Sequence, residues 1–297
     1  MSGSYPAILD RLELGPPVRL TGVAGGCIAD ARIAQFENGT EVFVKSGGGE
    51  RDGMFLKEAA GLRELASAQA IRIPAVLAAD DGSLVLEYIR AGVRKDDFFS
   101  RFGRRFARLH RKRAGCCGFR HDNYIGSTTQ PNTPLEGAYE DTSVAGDGSD
   151  WPVFFLERRL QFQAELALEN GYGRTLISLL ERGRPGIEDV LGESTEPPSL
   201  LHGDLWSGNF IVDELGDACL IDPAVYYGHR EADLAMTHLF GGFGPDFYRA
   251  YEEEYPLAPG HSERRPLYQL YHLLNHLNLF GMSYYAQCER ILRNYVR

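Results

Sequence analysis

Cysteine is scarce in this 297-residue chain. It occurs at five positions, Cys27, Cys116, Cys117, Cys219 and Cys288, with no C-x-x-C pair among them. An odd set without that spacing argues against a structural zinc site and against the disulfide framework of a small secreted domain. Long apolar runs are missing too: no stretch reaches the roughly 20 residues that span a bilayer. Met1 to Arg19 show no basic region followed by an apolar block, so no signal peptide is expected and the cytoplasm is the expected compartment. Positive charge is in deficit, with 31 Lys and Arg against 41 Asp and Glu and a net charge of −10. That balance repels phosphate backbones and argues against nucleic acid as a partner. Any phosphate-bearing ligand then has to be held by local positive groups and a metal.

What remains is ordinary for a globular chain: 43% hydrophobic and 24% charged residues, enough to bury one large core or two intimate lobes. The first ninety residues read as mostly strands. Val18 to Ala24 and Ile28 to Phe36 have strand character, Asn38-Gly39 is a hairpin signal, and Glu41 to Lys45 is the returning strand. A helix is expected from about Gly53 to Ala68, with Phe55, Ala59, Leu62 and Leu65 on one stripe. Short strands surround Val76 and Leu84 to Tyr88. After Ala91-Gly92 the pattern becomes helical. Asp96 to Arg113 sets phenylalanines on one face and arginines on the other, which reads as a solvated face opposite a buried one. Asn123 to Asp150 reads as a long loop and Trp151 to Glu169 as a helix. Further helices are expected near Glu231 to Phe240, Pro245 to Glu254, Arg264 to Phe280 and Ser283 to Val296. The expected division is a β-rich part over residues 1–92 and a mainly helical part over 93–297. A ligand cleft is expected between them.

The chemistry concentrates in Leu201-His202-Gly203-Asp204-Leu205-Trp206-Ser207-Gly208-Asn209 and Ile221-Asp222-Pro223, flanked by short apolar runs. Phosphoryl transfer needs a carboxylate to orient and deprotonate a hydroxyl, plus oxygen ligands for the magnesium that accompanies a nucleotide. Asp204 is the candidate general base. Asn209 and Asp222 are the candidate magnesium ligands. His202 and Trp206 read as scaffold for this loop, and Asp213 and Asp217 as turn residues. Upstream, Gly25-Gly26-Cys27 lets a backbone approach phosphates. Lys45 at the end of a strand can neutralise phosphate charge, and Glu58 on the following helix can hold that lysine. Backbone groups of Glu87, Tyr88 and Ile89 can meet an adenine edge. Each of these has an ordinary alternative: a tight turn, a surface lysine, a surface glutamate. Their order along the chain is what favours an ATP site. His272 and His276 stand four apart on a helix, but Leu273 occupies the position of the glutamate in an H-E-x-x-H motif, so both read as packing or helix-surface residues.

The motif from His202 to Asn209, the run from Asp222 to Glu231, Gly25-Gly26-Cys27-Ile28, Asn123-Tyr124-Ile125-Gly126 and the segment Tyr268 to Gly281 together resemble the fructosamine-3-kinase, or ketosamine kinase, family. That family is related to aminoglycoside and choline kinases. The resemblance implies an α+β, bilobal protein-kinase-like fold, with a β-rich nucleotide lobe and a mainly helical substrate lobe. It implies magnesium- and ATP-dependent phosphorylation of the 3-hydroxyl of ketosamines, free or on glycated proteins, giving an unstable adduct that releases the amine. Lys45, Glu58, Asp204, Asn209 and Asp222 fall on matching motif positions. His229, Glu231 and Asp233 can position the sugar side of the cleft or cap and brace the following helix, and bracing is the favoured reading. A cysteine at the place of Cys27 is linked in the family to a redox-sensitive disulfide between two chains, so a monomer and a redox-linked homodimer both stand as expectations. The alternatives are a small-molecule kinase of the aminoglycoside or choline type and a non-catalytic ATP-binding regulator.

Overall fold

The computed structural model describes residues 6–23, 30–47, 52–135 and 145–296. Gly25, Gly26 and Cys27 lie outside the described residues. The amino-terminal part is a five-stranded antiparallel sheet in the order β1-β2-β3-β5-β4. Its strands are β1 (Arg19–Gly22), β2 (Asp30–Gln35), β3 (Glu41–Ser46), β4 (Val76–Ala79) and β5 (Ser83–Glu87). Helix α1 (Met54–Ser67) crosses between β3 and β4. The period-two alternation of β3 decides what reaches the site. Val42 and Val44 join a small cluster with Ile8, Leu9, Ala34, Phe36 and Val85. Phe43 and Lys45 therefore point to the opposite face. On that side Leu84 and Leu86 share a core with Phe55, Ala59, Leu62 and Leu65 of α1.

The rest is mainly helical. Helix α2 (Phe98–Leu109) buries Phe98, Phe102, Phe106 and Leu109 against α7 (Pro245–Glu254). Its arginines lie on the solvated face, with Arg104 and Arg108 exposed, and are also paired. Arg104 pairs with Glu253, Arg108 with Glu254, and Arg101 and Arg105 both with Asp217. The cationic stripe is thus neutralised by a neighbouring helix and a turn.

The stretch from Asn123, read as a loop, opens with a hairpin of β6 (Asn123–Ile125) and β7 (Thr128–Gln130), turned at Gly126 with φ +60°. Strands of three residues are too short to show a period. Trp151 to Glu169 is helical as expected, but α3 (Trp151–Phe155) and α4 (Phe162–Glu169) are joined by a π-helical segment, Leu156–Gln161. Helix α5 (Thr175–Gly192) has no counterpart in the sequence reading, because Pro185 and its flanking glycines interrupt the pattern. Strands β8 (Ser199–Leu201), β9 (Phe210–Val212), β10 (Ala218–Leu220) and β11 (Tyr226–Gly228) form two antiparallel ribbons, β8 with β11 and β9 with β10. Helices α6 (Glu231–Leu239), α8 (His261–Phe280) and α9 (Tyr285–Arg293) complete the chain. Among the described residues no helix is long and apolar enough to cross a membrane.

Candidate active site

The two ribbons carry the site on the loops that join them. Between β8 and β9, Gly203 has φ +82°, and a Cβ there would lie 1.9 Å from the carbonyl oxygen of Ala224. Only glycine lets this loop approach the segment after Asp222 so closely. His202 fixes the loop from inside. It is fully buried, and burial holds its imidazole below the usual range. The neutral ring bonds twice: Nε2–H donates to the Ile221 carbonyl at 3.0 Å, and Nδ1 accepts the Asp204 N–H at 3.3 Å. The scaffold reading of His202 holds. Trp206 packs within the loop as well: its indole lies over Gly208 and edge-on to Phe240, and it is 39% exposed.

Asp233 does more than brace its own helix. From the first turn of α6 it reaches back to the loop, where its carboxylate accepts the N–H groups of His202 at 2.7 Å and Gly203 at 2.8 Å, and faces His110 Nε2 at 3.2 Å. Burial alone would raise its pKa, but these bonds lower it. Thirty residues of separation hid this role. Glu231, by contrast, meets the bracing expectation, holding Arg264 through two bonds of 2.8 and 2.6 Å.

Asp204 and Asn209 meet directly. The Asn209 amide donates to the Asp204 backbone oxygen at 2.8 Å and to its Oδ2 at 3.1 Å. Burial pushes the Asp204 carboxyl well above the usual carboxylate range, the Asn209 bond opposes that, and Asp222 and Asp233 add to it. A carboxylate with raised basicity beside an open face is suited to taking a proton from a hydroxyl.

The other half comes from the sheet. Lys45 Nζ lies 2.6 Å from Glu58 Oε1 and 2.5 Å from Asp222 Oδ1. Burial disfavours the ammonium, but the two carboxylates outweigh it and hold the lysine charged. Asp222 adopts φ +52°, a left-handed conformation that an aspartate keeps only where its surroundings enforce it. Its side chain is 47% exposed, so this junction opens to solvent. The Asn209 amide nitrogen also approaches the Asp222 carbonyl at 3.5 Å, which ties the two candidate metal ligands together. With the nitrogen of Asn209 bonded inward, its carbonyl oxygen and the Asp222 carboxylate make two hard oxygen donors. No group of three or more His, Cys, Asp or Glu that could hold a metal occurs among the described residues. Two protein oxygens completed by phosphate and water is, however, the usual way magnesium is held, so this donor set fits it.

Glu87 is already engaged. Its N–H donates to the Ala75 carbonyl, and its carboxylate accepts from Arg72 at 2.8 Å. Ile89 is buried and Tyr88 half-buried beside it. The histidine pair separates. His276 Nδ1 bonds the His272 carbonyl at 2.8 Å, while the His272 ring turns inward, its Nδ1 lying 4.0 Å from Asp204 Oδ1.

Comparison with known proteins bears on the fold and the family. A protein-ribulosamine 3-kinase of Oryza sativa subsp. indica is 38% identical over 96% of this chain and 82% of its own length. A crystal structure from Thermobifida fusca, described provisionally as a fructosamine-3-kinase, superposes with a TM-score of 0.85 at 31% identity, covering 99% of this chain and all of the other. An ADP-bound aminoglycoside phosphotransferase shares the fold alone, with a TM-score of 0.63 at 14% identity over 97% of both chains. The family model described as fructosamine kinase matches residues 17–297, and the chain belongs to that family.

Proposed function

We propose that this protein transfers the γ-phosphoryl group of ATP to the 3-hydroxyl of a ketosamine, on a free amine or a glycated protein. One observation carries the reading: Lys45, Glu58 and Asp222 meet at one point, beside the loop that holds Asp204 against Asn209. Asp204 accepts the proton of the sugar hydroxyl as its oxygen attacks the γ-phosphorus; the bond to the bridging oxygen breaks and ADP leaves. Lys45, kept charged, sits opposite the phosphates, with the backbone of Tyr88 and Ile89 proposed for the adenine edge and Gly25-Gly26-Cys27 for the turn over the phosphates. Asn209 and Asp222 would hold Mg²⁺, which supplies charge neutralisation when bound. The family relatives named for ribulosamine support a ketosamine acceptor, and the relatives' kinase names support an ATP-dependent enzyme rather than a non-catalytic regulator. Residues 1–92 form the proposed nucleotide lobe, 93–297 the catalytic lobe, and the cytoplasm is the proposed location.

The test is ATP consumption against ribulose-, erythrulose- and fructose-lysine, with detection of the 3-phosphate. Turnover of at least one of them is expected. Asp204→Asn should lower kcat by about 10²–10⁴, the usual worth of a general base. No 3-phosphate from any of the three, or a near-wild-type kcat in the variant, refutes the assignment.

A further inference from the structure

His272 is 3% exposed, and its Nδ1 is fully buried without a hydrogen-bond partner. A buried polar atom left unbonded costs free energy, and native structures leave few of them. This one faces the reactive carboxylate. Asp204 uses Oδ2 to accept from Asn209, and it is Oδ1 that lies 4.0 Å from the imidazole nitrogen. That gap is too long for a direct hydrogen bond and short enough for one oxygen atom to bond both sides. The surroundings leave the ring uncharged: burial pushes its pKa down to about 3, with His276 adding to the effect and Asp233 opposing it. A neutral imidazole does not compete with the acceptor for the Asp204 charge. It offers one further hydrogen bond on the Oδ1 side of Asp204.

We propose that His272 is a further substrate-contacting residue, whose Nδ1 hydrogen-bonds the acceptor hydroxyl while that hydroxyl donates its proton to Asp204 Oδ1. The inference rests on the reading of Asp204 as the general base. The pair then fixes the hydroxyl oxygen from two directions, with its remaining lone pair toward the phosphate. His272 does not take the proton: Asp204 does, and His272 orients the oxygen.

The experiment compares wild type with His272→Leu, which removes the polar atom, and His272→Asn, which keeps a polar group near the same place. Steady-state kinetics on a ketosamine is run beside nucleotide binding by calorimetry and thermal unfolding. For His272→Leu, kcat/KM for the ketosamine is expected to fall about tenfold or more, the effect of one lost hydrogen bond of ordinary strength. Nucleotide affinity should stay within a factor of two, and His272→Asn should recover most of the loss. A structural role alone would lower the melting temperature and both substrates' parameters together, without rescue by asparagine. That outcome overturns the proposal, as does an unchanged kcat/KM in His272→Leu. Should His272→Leu fail to fold, His272→Phe, which keeps a ring without its nitrogens, takes its place in the same comparison: an unchanged kcat/KM for the ketosamine, or a loss shared with nucleotide binding and stability, overturns the proposal. If wild type itself phosphorylates no ketosamine, the functional reading fails first; if wild type does so and the variant that lacks the polar atom matches it, only this inference fails.

Discussion

At the residue scale, the site keeps charge where folding disfavours it. Asp204 is largely shielded from solvent, with a side chain 19% exposed, and its ionised form is disfavoured by desolvation and by the charges of Asp222 and Asp233. A group whose folded pKa lies above its unfolded value costs stability once pH exceeds the unfolded pKa of about 3.9. Replacing it by a neutral amide removes that cost and can keep the contacts of the Asn209 amide. Asp204→Asn is therefore expected to melt at or above the wild-type temperature near neutral pH, without nucleotide or metal, while losing turnover. Calorimetric scans of both proteins check this, and a fall of several degrees would show that Asp204 is a structural carboxylate. The identities of Lys45, Glu58, Asp204, Asn209 and Asp222 were legible from motif and order, because each belongs to a short local pattern. Asp233 and His272 were not. Each reaches the Asp204 loop from a helix that is remote along the chain, and nothing in their local sequence separates them from helix-bracing or packing residues.

At the element scale, the least legible hairpin sets the position of Asp222. Gln130 of β7 donates to the Ala224 carbonyl at 3.0 Å and to Asn123 Oδ1 at 2.8 Å, and accepts from the Tyr271 hydroxyl at 2.7 Å. Asn123 of β6 donates to the Val225 carbonyl at 2.8 Å. Asn132, just beyond, passes the network to Arg159, whose guanidinium lies 4.0 Å over the Tyr226 ring. Arg159 sits on the π-helical segment between α3 and α4, and such segments mark functional regions more often than ordinary turns do. The hairpin and the π segment together grip the backbone two residues past Asp222. Periodicity cannot find such an arrangement, since its information lies in buried amides and not in an apolar stripe. The larger elements were legible for the opposite reason: α1, α2 and α7 each bury a stripe of the period that marks a helix. Gln130→Leu leaves three buried polar groups short of a partner, and is expected to cost roughly 2–4 kcal/mol of stability. Because Ala224 is then released, kcat should fall even at temperatures where the variant is fully folded. Urea unfolding and kinetics on one preparation check both halves, and a variant that is destabilised but turns over normally would disconnect the hairpin from the site.

At the scale of the whole molecule, the sheet and the helical part are tied on both sides of the catalytic junction. Near the connection, Arg72 bonds Glu87 of the sheet together with Asp213 and Glu214 of the β9–β10 turn, all at 2.8–2.9 Å. Gly92 N–H donates to the Val212 carbonyl beside them. On the other side, helix α1 carries two glutamates less than two turns apart. Glu58 holds Lys45, and Glu64 reaches into the helical part, bonding Lys112 at 2.6 Å, Arg120 at 2.6 Å and the Tyr227 hydroxyl at 2.9 Å. The same rigid helix therefore sets the Lys45–Asp222 contact and the seating of the sheet. Burial acts to raise the Glu64 pKa, but the bonds from Lys112 and Tyr227 lower it overall. A carboxylate with a depressed folded pKa stabilises above its unfolded value, about 4.3 for glutamate, and that contribution is lost as pH falls through the lower folded value. Glu64→Gln should accordingly be less stable than wild type by roughly 1–3 kcal/mol from pH 6 to 8. The gap should close progressively below about pH 4, as the carboxylate takes up its proton first in the unfolded state and, at lower pH, in the folded one. With α1 less firmly seated, KM for ATP should rise more than KM for the sugar. Denaturant unfolding across this pH range, beside two-substrate kinetics at pH 7, reads both effects. A stability gap that stayed constant down to pH 3 would mean that Glu64 acts through packing and not through its charge.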